Sequence, residues 1–446
     1  MLRNMKTARW LGGSLVLAAF GPAMAQDARP GNTEDDYFGS VPVVLTASRL
    51  DQPLNEAPGA ITVLDRQAIR MSGARNLAEV LRLVPGYLSG GFNGANPTAI
   101  YHIPLDDYGA RNLVMIDGRP VYSSIFLGDT HRGMMDVMLE DIERIEVLRG
   151  ANSAAYGANA MFGVVNIITR HSADTTGAEV SASRGRGGLI DRRIRLGGGD
   201  DQASVRLSAG EQRDSGYQNT NDDKRLSQLH LRADFKPSAA DEVMVSTGVT
   251  RLAAGDGFAD EPRNPLRTAY SRDTYANAQW RRQLSSTDEL QVSGNYMEDW
   301  VRDVVPFPEN PAVLADFSGV GRRLNLEAQR KASLNATLRT VVGLGYKEER
   351  VKSRPLFAHD DWISFRESRA FGTLEWRARP EWLVNTGLFV GQHSRAGTYN
   401  APRLMVNWLP SPEHTFRAGL TESVRTPSLS EYEGDVRYYF NGTMIA

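Results

Sequence analysis

From residue 175 to its end, the chain alternates apolar and polar side chains with a period of two, and this pattern constrains its fold more than any other feature. Leu229 and Leu231 share one side of a segment whose other side holds His230 and Arg232. Side chains on one face of a β-strand recur at every second position, whereas those on one face of a helix recur every 3.6 residues. The pattern therefore predicts a long series of strands with one apolar and one polar face.

A soluble sandwich also alternates, so the spacing of the connections has to distinguish it from a membrane barrel. Short turn-forming clusters lie about 30 to 50 residues apart, and longer polar stretches at 213–223, 253–271 and 301–320 lie between them. Short turns at one end and long loops at the other are typical of outer-membrane barrels. Aromatic residues flank the short turns, which favours an interfacial girdle over ordinary core aromatics. They are Phe235, Trp376, Trp382, Trp408 and Phe416.

The N-terminus has the three parts of a secretory signal peptide. A basic start precedes an apolar run over residues 10–20, and Ala23-Met24-Ala25 forms an A-x-A cleavage site. The run is too short for a spanning helix, which needs about 20 residues. Residues 1–25 are therefore predicted to be removed, and the polar, aperiodic residues 26–40 predict a flexible lead-in.

Composition and missing motifs exclude several classes of function. The formal charge of −2 leaves no basic excess for nucleic acid, and the chain has no cysteine for thiolate chemistry. The seven histidines are scattered, and neither H-E-x-x-H nor G-x-S-x-G occurs. We therefore expect no enzyme activity, no resident cofactor and no nucleic-acid partner.

Residues 48–172 have a different pattern of apolar residues. Leu77, Val80, Leu81 and Val84 fall on one face of a helix that Pro85-Gly86 ends. Apolar runs at 61–64, 112–116, 144–148 and 164–169 predict strands, one of them closed by the Asp117-Gly118 turn. This region is predicted to be a small α/β domain.

A series of ordered sequence blocks in this domain carries a family resemblance. They are 57–63 (APGAITV), 77–86 (LAEVLRLVPG), 113–120 (LVMIDGRP), 141–150 (DIERIEVLRG), 155–160 (AYGANA) and 163–170 (GVVNIITR). In order and wording they resemble the plug of TonB-dependent outer-membrane receptors, and 424–431 (VRTPSLSE) resembles a barrel motif of that family. The resemblance implies an N-terminal α/β plug followed by an antiparallel transmembrane β-barrel of the 22-stranded type.

The length of the strand-rich region predicts a partial barrel. At about 20 residues per strand and connection, residues 175–446 supply some 13 strands. Residues 442–446 also lack a final amphipathic strand with a terminal aromatic. We expect the chain to be a fragment of a longer receptor.

The segment before the plug resembles the TonB box, which members of the family offer to the periplasmic protein TonB. It consists of Val41, Pro42, Val43, Val44, Leu45, Thr46 and Ala47. An extended β-prone segment can add a strand to a partner's sheet edge. The same residues could instead be the first strand of the α/β domain. The resemblance implies TonB, with ExbB and ExbD, and outer-membrane lipid as partners, and the outer membrane of a Gram-negative bacterium as location.

The resemblance also implies a latch between plug and barrel, which we assign to Glu143, Arg144 and Arg149. Arg149 matches one plug arginine of the family. His102-Ile103-Pro104-Leu105 stands where relatives usually carry an Arg-Gly pair, so a second plug arginine is predicted to be missing.

Two groups of loop residues are candidates for ligand contacts. The first group is acidic and consists of Asp214, Asp222, Asp223, Asp256, Asp260 and Glu261. Cobalamin receptors of the family hold Ca²⁺ in this region, so the resemblance implies a calcium site. Solvated loop charge is the alternative explanation for these residues. Aromatic and basic loop residues would suit a bulky anionic ferric chelate, as they would many ligands. These are Tyr217, Phe258, Arg263, Arg267, Tyr270, Trp300, Arg302 and Phe307.

The leading hypothesis is an energy-coupled importer of a scarce nutrient, with a small-molecule metal chelate such as a ferric siderophore as cargo. A cobalamin receptor of the same family, a passive porin or adhesin barrel and a secreted all-β hydrolase are the alternatives.

Overall fold

The computed structural model describes residues 42–91, 93–102, 111–262, 264–306, 310, 312–437, 439–440 and 443–444. The predicted signal peptide, the lead-in, Val41, Arg263 and Phe307 lie outside these residues. No helix among them has the length and apolar character needed to cross a membrane.

The N-terminal part is a small α/β plug. Its strands are β1 (Val43–Val44), β2 (Gln52–Pro53), β3 (Ala60–Asp65), β4 (Tyr87–Gly91), β5 (Pro97–Tyr101), β6 (Asn112–Ile116), β7 (Arg119–Pro120), β8 (Ile142–Arg149) and β9 (Gly163–Thr169). Its helices are α1 (Arg66–Met71), α2 (Leu77–Leu81) and α3 (Ser153–Tyr156), with 3-10 turns at Gly133–Met135, Leu139–Asp141 and Ser172–Thr175. Five strands form a sheet in the order β3-β8-β9-β6-β7, in which β6 and β9 are parallel.

The predicted helix face forms the plug core. Leu77, Val80, Leu81 and Val84 are buried against the central strands of the sheet. Asn76 caps α2 by accepting a hydrogen bond from the backbone N–H of Glu79 at 2.9 Å. The helix and the sheet therefore bury their apolar faces against each other, as the periodicity of the sequence indicates.

The rest of the described chain contains the barrel wall and two short hairpins, β17–β18 and β25–β26. Its strands are β10 (Gly177–Arg184), β11 (Ile190–Gly199), β12 (Ala203–Asp214), β13 (Lys224–Phe235), β14 (Asp241–Asp256), β15 (Arg267–Ser285), β16 (Asp288–Arg302), β17 (Val304–Pro306), β18 (Leu314–Asp316), β19 (Gly319–Asn335), β20 (Leu338–Lys352), β21 (Ile363–Arg379), β22 (Trp382–His393), β23 (Gly397–Ser411), β24 (His414–Thr421), β25 (Tyr439–Phe440) and β26 (Thr443–Met444). Two short helices, α4 (Arg354–Phe357) and α5 (Leu429–Glu433), lie in connections.

Thirteen of these strands form one sheet, and the fold expected from the sequence is confirmed. The sheet runs from β10 to β24 in chain order, leaving out the β17–β18 hairpin, and every neighbouring pair is antiparallel. The hairpin pairs with itself inside the long loop between β16 and β19. The sequence predicts residues 301–320 as a polar loop without strands, and the structure places this hairpin in it.

The two faces of the wall differ in chemistry. Asn277, Asn295 and Asn325 are buried on the inner face, beside the plug. Leu231, Val245 and Leu344 are exposed on the outer face, as expected for residues that contact lipid. The predicted girdle aromatics lie on the outer face at the short-turn ends, where Trp408 stacks between Trp382 at 5.9 Å and Phe416 at 5.3 Å.

Candidate functional site

The TonB-box-like segment passes from the surface into the plug. Val43 is 54% exposed, whereas Val44, Thr46 and Ala47 are at most 1% exposed. β1 also pairs with β2 as a short strand of the plug. The segment thus has an exposed beginning and a buried end, and its binding to TonB stays a prediction.

The carboxylate of Glu146, on the plug strand β8, holds the buried end of the segment. Its Oε2 accepts hydrogen bonds from the backbone N–H groups of Leu45 at 3.0 Å and Thr46 at 3.1 Å, and from the Thr46 hydroxyl at 2.6 Å. Its Oε1 accepts a hydrogen bond from Arg144 Nε at 2.9 Å. Glu146 is fully buried, so these donors replace its water shell, and charge-assisted bonds of this kind are the stronger ones.

The wall holds the same segment through Arg403 of β23. Arg403 Nη1 donates to the carbonyl oxygen of Ala47 at 2.7 Å and also to the side-chain oxygen of Asn152 in the plug. Asn152 Nδ2 in turn donates to the carbonyl oxygen of Thr46 at 3.1 Å. Arg403 is buried, and its Nη2 donates to Asn385 on the neighbouring strand β22 at 2.7 Å. Residues 45–47 are therefore bonded to both the plug and the wall.

Arg49 makes a second connection to the wall. Its guanidinium forms an ion pair with Glu327 of β19, which also accepts a hydrogen bond from Arg369 at 2.9 Å. Arg49 Nε donates to the carbonyl oxygen of Ala155 at 2.8 Å, and its guanidinium lies 4.1 Å from the ring centroid of Phe371. The plug and the wall thus share a nearly buried charge network at this point.

The residues predicted to form the latch lie on β8. Arg144 bonds Glu146 on its own strand, Glu143 lies 4.0 Å from Arg170, and Arg149 pairs in register with Ala60 and Gly163. These contacts are within the plug. Other plug residues form ion pairs with the wall: Arg49 with Glu327, Arg75 with Asp191 and Asp214, Asp117 with Arg232, Glu140 with Arg193, and Asp141 with Arg206.

Glu146, Arg49 and Arg403 are contact residues that the sequence did not predict. A charged residue within an apolar run is the signal that could have found Glu146, because a buried carboxylate must have donors. Arg49 and Arg403 carry no comparable local signal. The His102 ring lies tilted against the Tyr101 ring with the centroids 4.6 Å apart, whereas residues 103–105 lie outside the described residues.

The six predicted calcium ligands are not brought together. Asp214 is paired with Arg75 at 2.6 Å, Asp256 lies 3.2 Å from Arg267, and Asp222 accepts hydrogen bonds from the backbone N–H groups of Gly94 and Tyr217. Asp223, Asp260 and Glu261 are exposed. In the part of the chain that the structure describes, no group of three or more His, Cys, Asp or Glu residues could hold a metal ion. Arginines and backbone donors satisfy the inner carboxylates instead.

The predicted ligand-contact residues do not share one face. Tyr270, Trp300 and Arg302 lie on the outer face of the wall, because their neighbours Ser271 and Val301 are buried on the inner face. Arg267 is held by Asp303, with Nη2 and Oδ2 3.0 Å apart. Tyr217 is exposed in the loop after β12 and Phe258 is half-buried in the loop after β14.

A cavity of about 440 Å³ separates part of the plug from the wall. Nine lysine or arginine side chains and five carboxylates line it, among them Arg49 and Arg144 from the plug and Arg323, Lys347 and Glu367 from the wall. The cavity therefore has an excess of positive charge, which favours anions.

Two plug tyrosines in this cavity stay neutral. Burial raises the pKa of Tyr156 to about 12, even though Arg49 lies over its ring and favours the charged form. Burial also raises the pKa of Tyr122. Their phenol groups therefore add no negative charge to the cavity near neutral pH.

Two family models match the chain. Residues 53–164 match the TonB-dependent receptor plug domain, and residues 198–444 match the TonB-dependent receptor-like β-barrel.

Curated relatives and solved structures also resemble the chain. The vitamin B12 transporter BtuB of Photobacterium profundum is 28% identical over 316 residues, covering 59% of this chain and 50% of its own length. The ferrienterobactin receptor of Escherichia coli is 34% identical over 163 residues, or 34% of this chain and 21% of its own length. A mutant ferric enterobactin receptor from Pseudomonas aeruginosa superimposes with a TM-score of 0.69 at 17% identity, over 87% of this chain and 64% of its own length. The chain thus spans half to two thirds of the length of these proteins where the match is longest.

Proposed function

Because the chain belongs to the TonB-dependent receptor family, we propose that it imports a nutrient across the outer membrane when TonB pulls on residues 41–47. The relatives are named as transporters and receptors rather than as enzymes. The observation that carries the proposal is the placement of the N-terminal segment, which is exposed at Val43 and bonded at Thr46 and Ala47 to both the plug and the wall. Force applied at the exposed end reaches these bonds directly.

The hydrogen bonds of residues 45–47 are the first that this force would break. Extending residues 45–47 removes three donors from Glu146 and the Ala47 carbonyl from Arg403. A buried charge that loses its partners is costly, so the plug must rearrange or admit water there. The cavity beside Arg49 and Arg144 lies next to these contacts and can widen as the segment leaves.

We propose an anionic metal chelate of the ferric siderophore class as cargo. The excess of cations along the cavity between plug and wall supports an anionic ligand. Cobalamin is the second candidate, supported by the similarity to the vitamin B12 transporter of Photobacterium profundum.

The test replaces Val43 with proline in cells that produce the receptor. Val43 is exposed, so Val43→Pro leaves the plug core intact while it removes a ladder N–H that strand addition to TonB requires. Surface binding of radiolabelled ligand should persist while its uptake falls about ten-fold or more, with Val43→Ala as the matched control.

The ligand is identified by supplying a ferric catecholate siderophore and cyanocobalamin separately. Uptake of neither, or uptake by Val43→Pro at the rate of Val43→Ala, would contradict the proposal. Uptake of cyanocobalamin alone would replace the cargo and keep the coupling.

A further inference from the structure

The outer face of the wall carries one arginine on each of eight neighbouring strands, close to the long-loop end. Each of these arginines has a chain neighbour that is buried or faces the plug. Lys224 beside Arg225, Val301 beside Arg302 and Arg323 beside Arg322 are examples. Because neighbouring residues of a strand face opposite sides, the arginines point outward. We call this set the outer arginine row. It consists of Arg213 (β12), Arg225 (β13), Arg251 (β14), Arg272 (β15), Arg302 (β16), Arg322 (β19), Arg350 (β20) and Arg366 (β21).

The strand register places arginines of the row directly opposite one another. Arg213 is opposite Arg225, Arg251 is opposite Arg272, and Arg322 is opposite Arg350. Like charges at directly opposed positions of a sheet destabilise it. Each such pair is therefore stabilised by an anion that lies between its two arginines.

Carboxylates of the chain neutralise the row only in part. Glu211 contacts Arg213 and Arg225, Glu298 contacts Arg272 and Arg322, and Glu348 contacts Arg350 and Arg366. Arg251 and Arg302 take no part in the ion pairs formed by the described residues. The row therefore keeps an excess of positive charge.

The height of the row on the wall matches the far side of an apolar layer. Along their strands, Arg225 and Arg366 lie ten residues from the girdle aromatics Phe235 and Trp376. Arg272 lies eight residues from Trp280, a tryptophan near the short-turn end of β15. At about 3.3 Å per residue and a tilt of about 40°, this is about 20 to 25 Å along the membrane normal. The apolar band of an outer-membrane barrel is about 25 Å tall. The row thus lies where lipid headgroups meet the barrel, in the leaflet opposite the girdle.

Three arginines of the row line a recess on the outer face, which a ligand could occupy. Its volume is about 640 Å³, and Arg225, Arg251, Arg272, Tyr270 and Trp300 line it. Guanidinium groups bind phosphate oxygens in bidentate fashion, and tyrosine and tryptophan favour the boundary between apolar and polar layers. Cations and interfacial aromatics together suit a phosphorylated headgroup whose acyl chains lie on the apolar band.

We propose that the outer arginine row binds the phosphate groups of outer-leaflet glycolipid, and that these phosphates bridge Arg251 to Arg272 and Arg322 to Arg350, the two opposed pairs that no single carboxylate of the described residues joins. The inference rests on the outer-membrane location in the proposed function, and it is independent of the cargo and of TonB. Outward arginines at the short-turn ends of the same strands, Arg282 on β15 and Arg330 on β19, provide a matched comparison.

The test uses the receptor purified from outer membranes and reconstituted in phosphatidylcholine nanodiscs that contain either bisphosphorylated lipid A or its dephosphorylated form. Bound lipid is counted by native mass spectrometry. The wild-type receptor should retain the phosphorylated form preferentially, and the double variant Arg272→Gln/Arg322→Gln should lose about ten-fold of that retention. The control Arg282→Gln/Arg330→Gln, whose arginines also each have one carboxylate partner, should retain it as the wild type does.

Equal retention of both lipid forms, or equal losses in the two double variants, would overturn the inference. Displacement of the lipid by millimolar inorganic phosphate would overturn the assignment to a lipid. If Arg272→Gln/Arg322→Gln fails to fold, Arg251→Gln serves instead, because Arg251 is exposed and belongs to no ion pair among the described residues. Absence of the receptor from the outer-membrane fraction would contradict the proposed function, whereas a receptor present there without phosphate preference contradicts this inference alone.

Discussion

At the scale of single residues, the N-terminal segment is held by buried polar groups that lie far from it in the sequence. Glu146 is separated from Thr46 by 100 positions, and Arg403 from Ala47 by 356. Both charged residues are enclosed by the fold, so each depends on the few donors or acceptors that the segment offers. Small movements of the segment therefore have large energetic effects there.

Replacing Glu146 with glutamine tests how the segment is held. The substitution Glu146→Gln keeps the size of the side chain but replaces one acceptor oxygen with an N–H₂ group. That group then faces donors, either those of residues 45–46 or that of Arg144, and can accept a hydrogen bond from neither. The free energy of local opening should fall by about 1 to 3 kcal/mol, measured as faster amide hydrogen exchange at Leu45 and Thr46. Glu143→Gln, on the same strand but half exposed, is the matched control and should leave that exchange unchanged. Unchanged exchange in Glu146→Gln would show that Glu146 does not hold the segment.

The sequence could indicate these residues only in part. Local pattern predicts which positions are buried, because Ile145 and Val147 flank Glu146 in an apolar strand. It does not predict which donor meets a buried carboxylate, because that depends on how distant parts of the chain pack. For the same reason the predicted calcium ligands share loops in the sequence and yet bind different partners in the structure.

At the scale of elements, alternation and turn spacing predict the wall well. The period of two reports directly which side chains face lipid, and it needs no knowledge of distant contacts. The strand count follows from length alone and agrees with the thirteen-stranded sheet. The β17–β18 hairpin was not predicted, because its paired strands have only three residues each and show no measurable alternation.

The outer face of the wall can be tested by placing a charge on it. Leu344 on β20 is 66% exposed in the middle of the apolar band, and Leu314 on β18 is 52% exposed in a long loop. In a bilayer, Leu344→Arg should lower the free energy of unfolding by about 2 to 4 kcal/mol, because a charge near the midplane loses its hydration. Leu314→Arg should change it by about 0.5 kcal/mol or less in urea titrations of liposome-bound protein. Equal effects would contradict a lipid-facing wall.

At the scale of the whole molecule, the plug and the wall act as one unit joined by polar contacts. Arg49, Arg75, Asp117 and Asp141 all form ion pairs with wall residues, and a cavity remains beside part of this interface. Apolar clusters also join the two parts, among them Leu50 with Phe371 and Phe389 and Ile125 with Val301. Polar and apolar contacts together therefore fix the plug against the wall.

In the proposed function, TonB withdraws the buried part of the N-terminal segment. The natural chain has no cysteine, so a single engineered one reports on its own position. Ala47 is 1% exposed and Val43 is 54% exposed, which makes Val43→Cys the accessible reference for Ala47→Cys.

The decisive measurement is the rate at which a membrane-impermeant maleimide, admitted to the periplasm, labels Ala47→Cys in cells. Labelling of Ala47→Cys should be slow without ligand or without TonB and fast when both are present, whereas labelling of Val43→Cys should be fast in every case. Labelling of Ala47→Cys that stays slow while the variant imports ligand at the normal rate would contradict withdrawal of the segment by TonB.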